Sequence, residues 1–165
     1  MSPDEARAAL SAAYKAKNPN WDDPFSSVSA VIQDKSGNFY LIGTGAGYVA
    51  HRSVSSSDVI VAKFLPNGTV DQGWGNKASL FYSNAPGTSF YNHGVGPDNS
   101  GSFNHRTNTV EYAGDTEEVL GVILGQDNNL YILDRWSANQ NKLAVLSIGL
   151  NGSENGRFGK SGWLK

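Results

Sequence analysis

Few side chains in this sequence are suited to acid–base or metal chemistry, and they lie far apart. The three histidines are His51, His93 and His105. None stands three or four positions from another, the spacing that brings two imidazoles to one ion on a helix. Folding could gather His93 and His105 with Asp98, giving a hydrolase or lyase acid–base pairs for proton transfer within the stretch 83–109. Solvent-exposed loop histidines are the plainer expectation. The chain contains no cysteine, so thiolate nucleophiles, thiolate metal sites and disulfide staples are excluded. No Gly-x-Ser-x-Gly elbow occurs, and the scattered acids form no legible glycosidase pair. Gly43-Thr44-Gly45-Ala46-Gly47 imitates a phosphate cradle, but it ends a strand instead of opening a helix, and no Lys-Ser or Lys-Thr follows. Asp71-Gln72-Gly73 offers one acid where a calcium loop needs several oxygen ligands. No metal and no cofactor are expected.

Recognition is the remaining chemistry. Tyr48, His51 and Arg52 fall in one long loop, and Arg135 and Trp136 in its later counterpart. Phe90, Tyr91, His93, Phe103, His105 and Arg106 fall in the polar stretch between them. Aromatic, arginine and histidine side chains among asparagines suit a protein or glycan surface. Of these, Tyr48, Arg52, Tyr91, His93, His105, Arg106, Arg135 and Trp136 are the binding candidates.

Bulk properties narrow the partners. The 165 residues carry 13 Lys+Arg against 15 Asp+Glu, a formal charge of -2, too little field to gather phosphate backbones or anionic lipid. Neither nucleic acid nor membrane insertion is expected, since no apolar run approaches a spanning length and the N-terminus lacks a signal-peptide pattern. The compartment stays open, with soluble, cytoplasmic or particle-associated residence favoured over a membrane. Glycine, at 19 residues, implies many tight turns and therefore many short strands.

The positioning elements follow from local signals. Ser2 caps a helix running to about Lys17, with Glu5 three positions on and Pro3 at the first turn. Ala6, Leu10, Ala13 and Tyr14 form an apolar stripe that packs on the domain or on a neighbouring subunit. Beyond it, residues 30–43 lie over 121–134 without a gap, an offset of 91 positions (30 to 121), and both read as strand, polar turn, strand. Residues 61–75 lie over 145–159 at an offset of 84 (61 to 145), and Leu80 then matches Leu164. Strands are expected at about 27–33, 38–43, 58–65 and 69–71, and at 118–124, 129–134, 142–149 and 153–155. Asn67-Gly68 and Asn151-Gly152 carry a strong hairpin signal, which also explains their match to the glycosylation triplet. Phe39–Ile42 and Leu130–Leu133 are apolar on both faces and so need cover on both.

The joined pattern resembles the bacterial Delta-60 repeat of β-propeller-like proteins. Its hairpin turn appears as Ser36-Gly37-Asn38, and its tail as Asn67-Gly68-Thr69-Val70-Asp71-Gln72-Gly73-Trp74-Gly75 and Asn151-Gly152-Ser153-Glu154-Asn155-Gly156-Arg157-Phe158-Gly159. The second copy departs from the pattern: its hairpin lacks the glycine, and Glu154 and Asn155 replace an apolar residue and the aspartate. The resemblance implies an all-β fold of two four-stranded antiparallel β-meander units plus the short helix, and ties the chain to no one activity. Gly37, Gly68, Asp71, Trp74, Gly75, Asn151, Gly152, Phe158 and Gly159 are then structural. Trp74 and Phe158 plug the gap between sheets, in preference to a sugar-stacking role for Trp74, and Asp71 stabilises the following turn with its side chain. The division is 1–24 helix and linker, 25–82 first unit, 83–117 polar insertion and 118–165 second unit. Two blades cannot close a ring, so self-association, with three chains supplying six blades as one solution, or a larger protein assembly is expected. A non-catalytic binding or structural module recognising protein or glycan, of a bacterial or phage particle, is the leading reading. The hydrolase or lyase is the alternative.

Overall fold

Ser2 and Glu5 form the reciprocal cap foreseen for the helix: the Glu5 amide donates to Ser2 Oγ (3.2 Å) and the Ser2 amide to Glu5 Oε2 (2.9 Å). The computed structural model describes residues 1–45, 57–75, 86–91, 103–104, 109–110, 117–136, 142–159 and 162–164. Helix α1 (Pro3–Lys17) ends at Asn18, which turns extended ahead of Pro19. Its Ala6, Leu10 and Tyr14 are fully buried. Removing the cap with Ser2→Ala is expected to lower stability by about 1 kcal/mol in urea unfolding.

Two antiparallel four-stranded sheets and a two-stranded ribbon make up the other described elements, with the helix the only α element among the described residues. The first runs β1 (Phe25–Gln33), β2 (Phe39–Gly45), β3 (Asp58–Phe64), β4 (Thr88–Tyr91) in that order. After a two-stranded ribbon of β5 (Phe103–Asn104) and β6 (Thr109–Val110), the second runs β7 (Glu117–Leu124), β8 (Asn129–Trp136), β9 (Lys142–Gly149), β10 (Trp163–Leu164). The all-β architecture with one small helix is as expected from the sequence.

The fourth strands differ from the expectation. Val70 and Glu154 make only isolated bridges, to Phe64 and Ile148, because the chain turns away at Asp71 and Asn155. The edge strands form later. Ala62 pairs with Thr88 and Leu146 with Trp163, so Thr88, not residue 79, is the counterpart of Trp163. The connection from Gly75 to Thr88 is nine residues longer than that from Gly159 to Trp163 (13 against 4), and the register does not hold to Leu164. Leu80 itself lies outside the described residues. β4 therefore carries the first sheet to Tyr91, inside the stretch read from sequence as an insertion.

Elsewhere the two sheets match in detail. The bulge at Ser29 in β1 recurs at Leu120 in β7, 91 positions on, while β1 has a second irregularity at Ser26. Gly37 and Asn128 both adopt left-handed backbone, φ 83° and 60°; asparagine tolerates this region better than other side chains, so the turn survives without its glycine. Gly75 and Gly159 are required by close approach: a Cβ would sit 2.4 Å from the Thr88 carbonyl and 2.0 Å from that of Trp163. Tyr40 Oη donates to Asp34 Oδ2 (3.0 Å) and Tyr131 Oη to Asp127 Oδ2 (2.7 Å). The second carboxylate comes from two positions further along the turn, and Gly125 leaves it room.

The sheets stack front to back. Tyr40, Ile42, Val59, Val61 and Trp74 of the first sheet bury against Leu130, Ile132, Ala144, Leu146 and Ile148 of the second. At the offsets above, Tyr40 corresponds to Tyr131, which faces the other way, whereas Ile132 corresponds to Leu41. The opposite face of the first sheet, with Leu41, Ile60, Ala62 and Phe64, is covered by α1 through Ala6, Leu10 and Tyr14, and Tyr14 Oη donates to Thr88 Oγ1 (3.0 Å). Each face of the first sheet is thus covered, one by a sheet and one by a helix. The second sheet is covered on one face alone among the described residues.

Candidate functional site

The uncovered face of the second sheet is the feature that most departs from a self-sufficient domain. Side chains alternate across a strand, so it carries Tyr131, Leu133 and Arg135 of β8, Leu143 and Val145 of β9, Ile123 of β7 and Leu164 of β10. Ile123 is 65% exposed, Leu143 58%, Leu164 54% and Leu133 36%. The first-sheet counterparts of Ile123, Leu143 and Leu133, namely Ile32, Val59 and Ile42, pack in the inter-sheet core. The face has one aromatic corner, Tyr131 against Phe158, centroids 5.4 Å apart and edge-on at 74°. The same pair in the first sheet, Tyr40 and Trp74, lies 6.0 Å apart at 69°, but there the second sheet covers it. Burial raises the Tyr40 hydroxyl pKa; for Tyr131 the bond to Asp127 does so. At the far end Arg135 pairs with Glu118.

The covered equivalent shows how such a face is filled. Trp74 Nε1 donates to the Leu150 carbonyl (2.7 Å) and Tyr91 Oη to that of Gly152 (2.6 Å). The hairpin turn of the second sheet thereby sits on the aromatic cluster of the first. Gly152, φ 87°, allows that approach, since a Cβ would come within 3.1 Å of Trp74 Cζ2. At the other end Glu117 Oε2 accepts from the Val59 amide (2.7 Å) and Ser29 Oγ donates to the Val119 carbonyl (3.1 Å).

Several residues named from the sequence stand elsewhere. Tyr91, expected on a recognition surface, is 2% exposed and belongs to the core; an aromatic in a polar stretch proved to be the inner residue of an edge strand. Trp74 is buried between the sheets, whereas Phe158 is half-buried against Tyr131 on the uncovered face. Among the described residues Asp71 meets the turn through its backbone, whose carbonyl receives the Trp74 amide, while its carboxylate pairs with Lys63 Nζ (3.0 Å). Asn155 Oδ1 does accept from the Arg157 amide (3.2 Å), and Asn67 and Asn151 cap their own turns through Thr69 and Ser153. Tyr48, His51, Arg52, His93, Asp98, His105 and Arg106 lie outside the described residues, as does the side chain of Trp136. The acid–base pairing of His93 with His105 falls on the same undescribed stretch.

The sequence carries no local signal for one buried group. Asp134 is fully buried in the inter-sheet core, and neither carboxylate oxygen has a hydrogen-bond partner among the described residues. Burial, with the Glu118 charge nearby, pushes its pKa up to about 7. Its counterpart in the first sheet is Gly43, where a Cβ would collide with the Ser27 carbonyl at 2.0 Å. Asp58, at the start of β3, is also raised to about 7 by burial. Neither has a second acid and a histidine arranged as metal ligands among the described residues.

Compared with known proteins, the chain matches no family model, no curated protein and no solved structure. Among the described residues no helix is long and apolar enough to cross a membrane.

Proposed function

We propose that this chain is a non-catalytic assembly module that binds protein through the outer face of its second sheet. The reading rests on one observation: the apolar positions that the first sheet buries under a neighbour are, on the second sheet, turned outward as Ile123, Leu133 and Leu143. A contiguous apolar face of this kind marks a protein interface in a soluble chain. Its aliphatic character favours a protein over a glycan, which would call for polar groups beside the aromatics. The resemblance to Delta-60 repeats supports the same reading, because stacked sheets of that kind bury one another's faces.

A six-bladed ring of three chains is disfavoured by the position of α1. Its closure would set the outer face of one second sheet on the outer face of another chain's first sheet, and α1 occupies the latter. The test is light scattering across micromolar concentrations. The chain is expected to weigh more than its 17.6 kDa, and Leu133→Glu to return it to that mass with its unfolding temperature retained, since the position is partly solvated in the isolated chain. A single-chain mass for the unaltered protein at every concentration would defeat the reading.

A further inference from the structure

Building on that reading, we infer that the occupant of the outer face is the same face of a second copy, related by a two-fold axis. Among the described residues, three of the four faces of the two four-stranded sheets are filled: two by each other and one by α1. A sheet-on-sheet contact between identical copies therefore sets the remaining face on itself. A self-complementary contact of this kind closes at two subunits.

The surface has the relief that such a contact needs. Leu133, in the middle of β8, pairs directly with Gly121 of β7, and a Cβ at Gly121 would meet nothing within 4 Å. A projecting leucine therefore stands beside a hollow. An axis passing between the two places each copy's Leu133 over the other's Gly121. Leu120 and Leu143 flank the knob and are 45% and 58% exposed. At the end of the face Glu118 and Arg135 lie side by side, so a reversed copy brings both signs of charge and no like-charge barrier.

A neighbouring sheet docked as the second docks on the first fits less well. That contact is anchored by the indole N–H of Trp74 on a turn carbonyl, and the corresponding Phe158 has no donor. The axis runs along the strands between β7 and the neighbouring β8, and β7 is an edge strand, so the mate covers these two strands of eight residues, roughly 10 by 26 Å on each copy. That is below the area of a stable dimer, so the pairing is weak and concentration-dependent.

The chain has no cysteine, so a thiol placed on the face is the only one present. Leu133→Cys treated with a short bismaleimide is expected to yield covalent dimers and nothing larger, while Ala12→Cys, on the exposed side of α1, stays single. Sedimentation equilibrium of the unaltered chain is expected to show a reversible doubling of mass, lost in Leu133→Glu. Assembly to more than two copies, or dimers that Leu133→Cys does not trap while Ala12→Cys does, would overturn the two-fold pairing and leave the assembly reading standing. A single-chain mass throughout would overturn both.

Discussion

Trp74→Ala is expected to lower stability by about 3–5 kcal/mol, and Phe158→Ala by about 1 kcal/mol, although the two residues hold the same place in their sheets. Trp74 is 6% exposed, touches Tyr40 edge-on and donates its indole N–H to the Leu150 carbonyl. Its removal empties the gap between the sheets and strands a buried acceptor, and the sheets cannot close over so large a void without losing the seat of the Leu150–Gly152 turn. Phe158 rests on Tyr131 from the solvent side, so its loss forfeits one ring contact and leaves no internal cavity. Urea unfolding at a concentration low enough to keep the chain single separates the two. Equal losses would mean that the front-to-back stacking is wrong.

The second large effect is on pH dependence. Asp134 has a folded-state pKa of about 7 against an ordinary carboxylate near 4 once unfolded. The native state therefore holds a proton that the unfolded state has released. On this group's account stability is fully present below about pH 4, falls as pH rises from 4 to 7, and stays low above 7, by up to about 4 kcal/mol. Asp134→Asn keeps the shape but cannot ionise. Its unfolding temperature is expected to equal or fall below that of the unaltered chain at pH 4.5, and to exceed it at pH 8. Asp58, raised to about 7 by burial, acts in the same direction and persists in the variant, so the profile flattens without becoming level. Parallel profiles for the two proteins would show that Asp134 does not titrate in this range.

What was legible in the sequence was local. Ser2-Pro3 and Glu5 announce the helix, and Asn67-Gly68 and Asn151-Gly152 announce hairpins, because capping and turn conformation depend on a few adjacent residues. The edge strand Thr88-Ser89-Phe90-Tyr91 was hidden by its polar surroundings and by the longer connection before it, and Tyr91 was misread with it. Stacking direction was hidden for another reason. Tyr40 and Leu41 are both apolar enough to be buried, so alternation says that two faces need cover without saying which neighbour covers which. The signal for the outer face was nonetheless present: Ile123, Leu133 and Leu143 stand at the positions of Ile32, Ile42 and Val59, while the sequence supplies one short helix for two sheets. Asp134 gave no signal, since a lone acid at a strand end reads as solvent-facing.

Front-to-back stacking has polarity, and polarity makes α1 a terminator. Cut away, it would leave a molecule whose two ends are mutually attractive, and identical head-to-tail contacts that fail to close propagate into fibres. The amphipathic segment at residues 3–17 thus does for this stack what an end cap does for a solenoid: it confines growth to one end and keeps the particle finite.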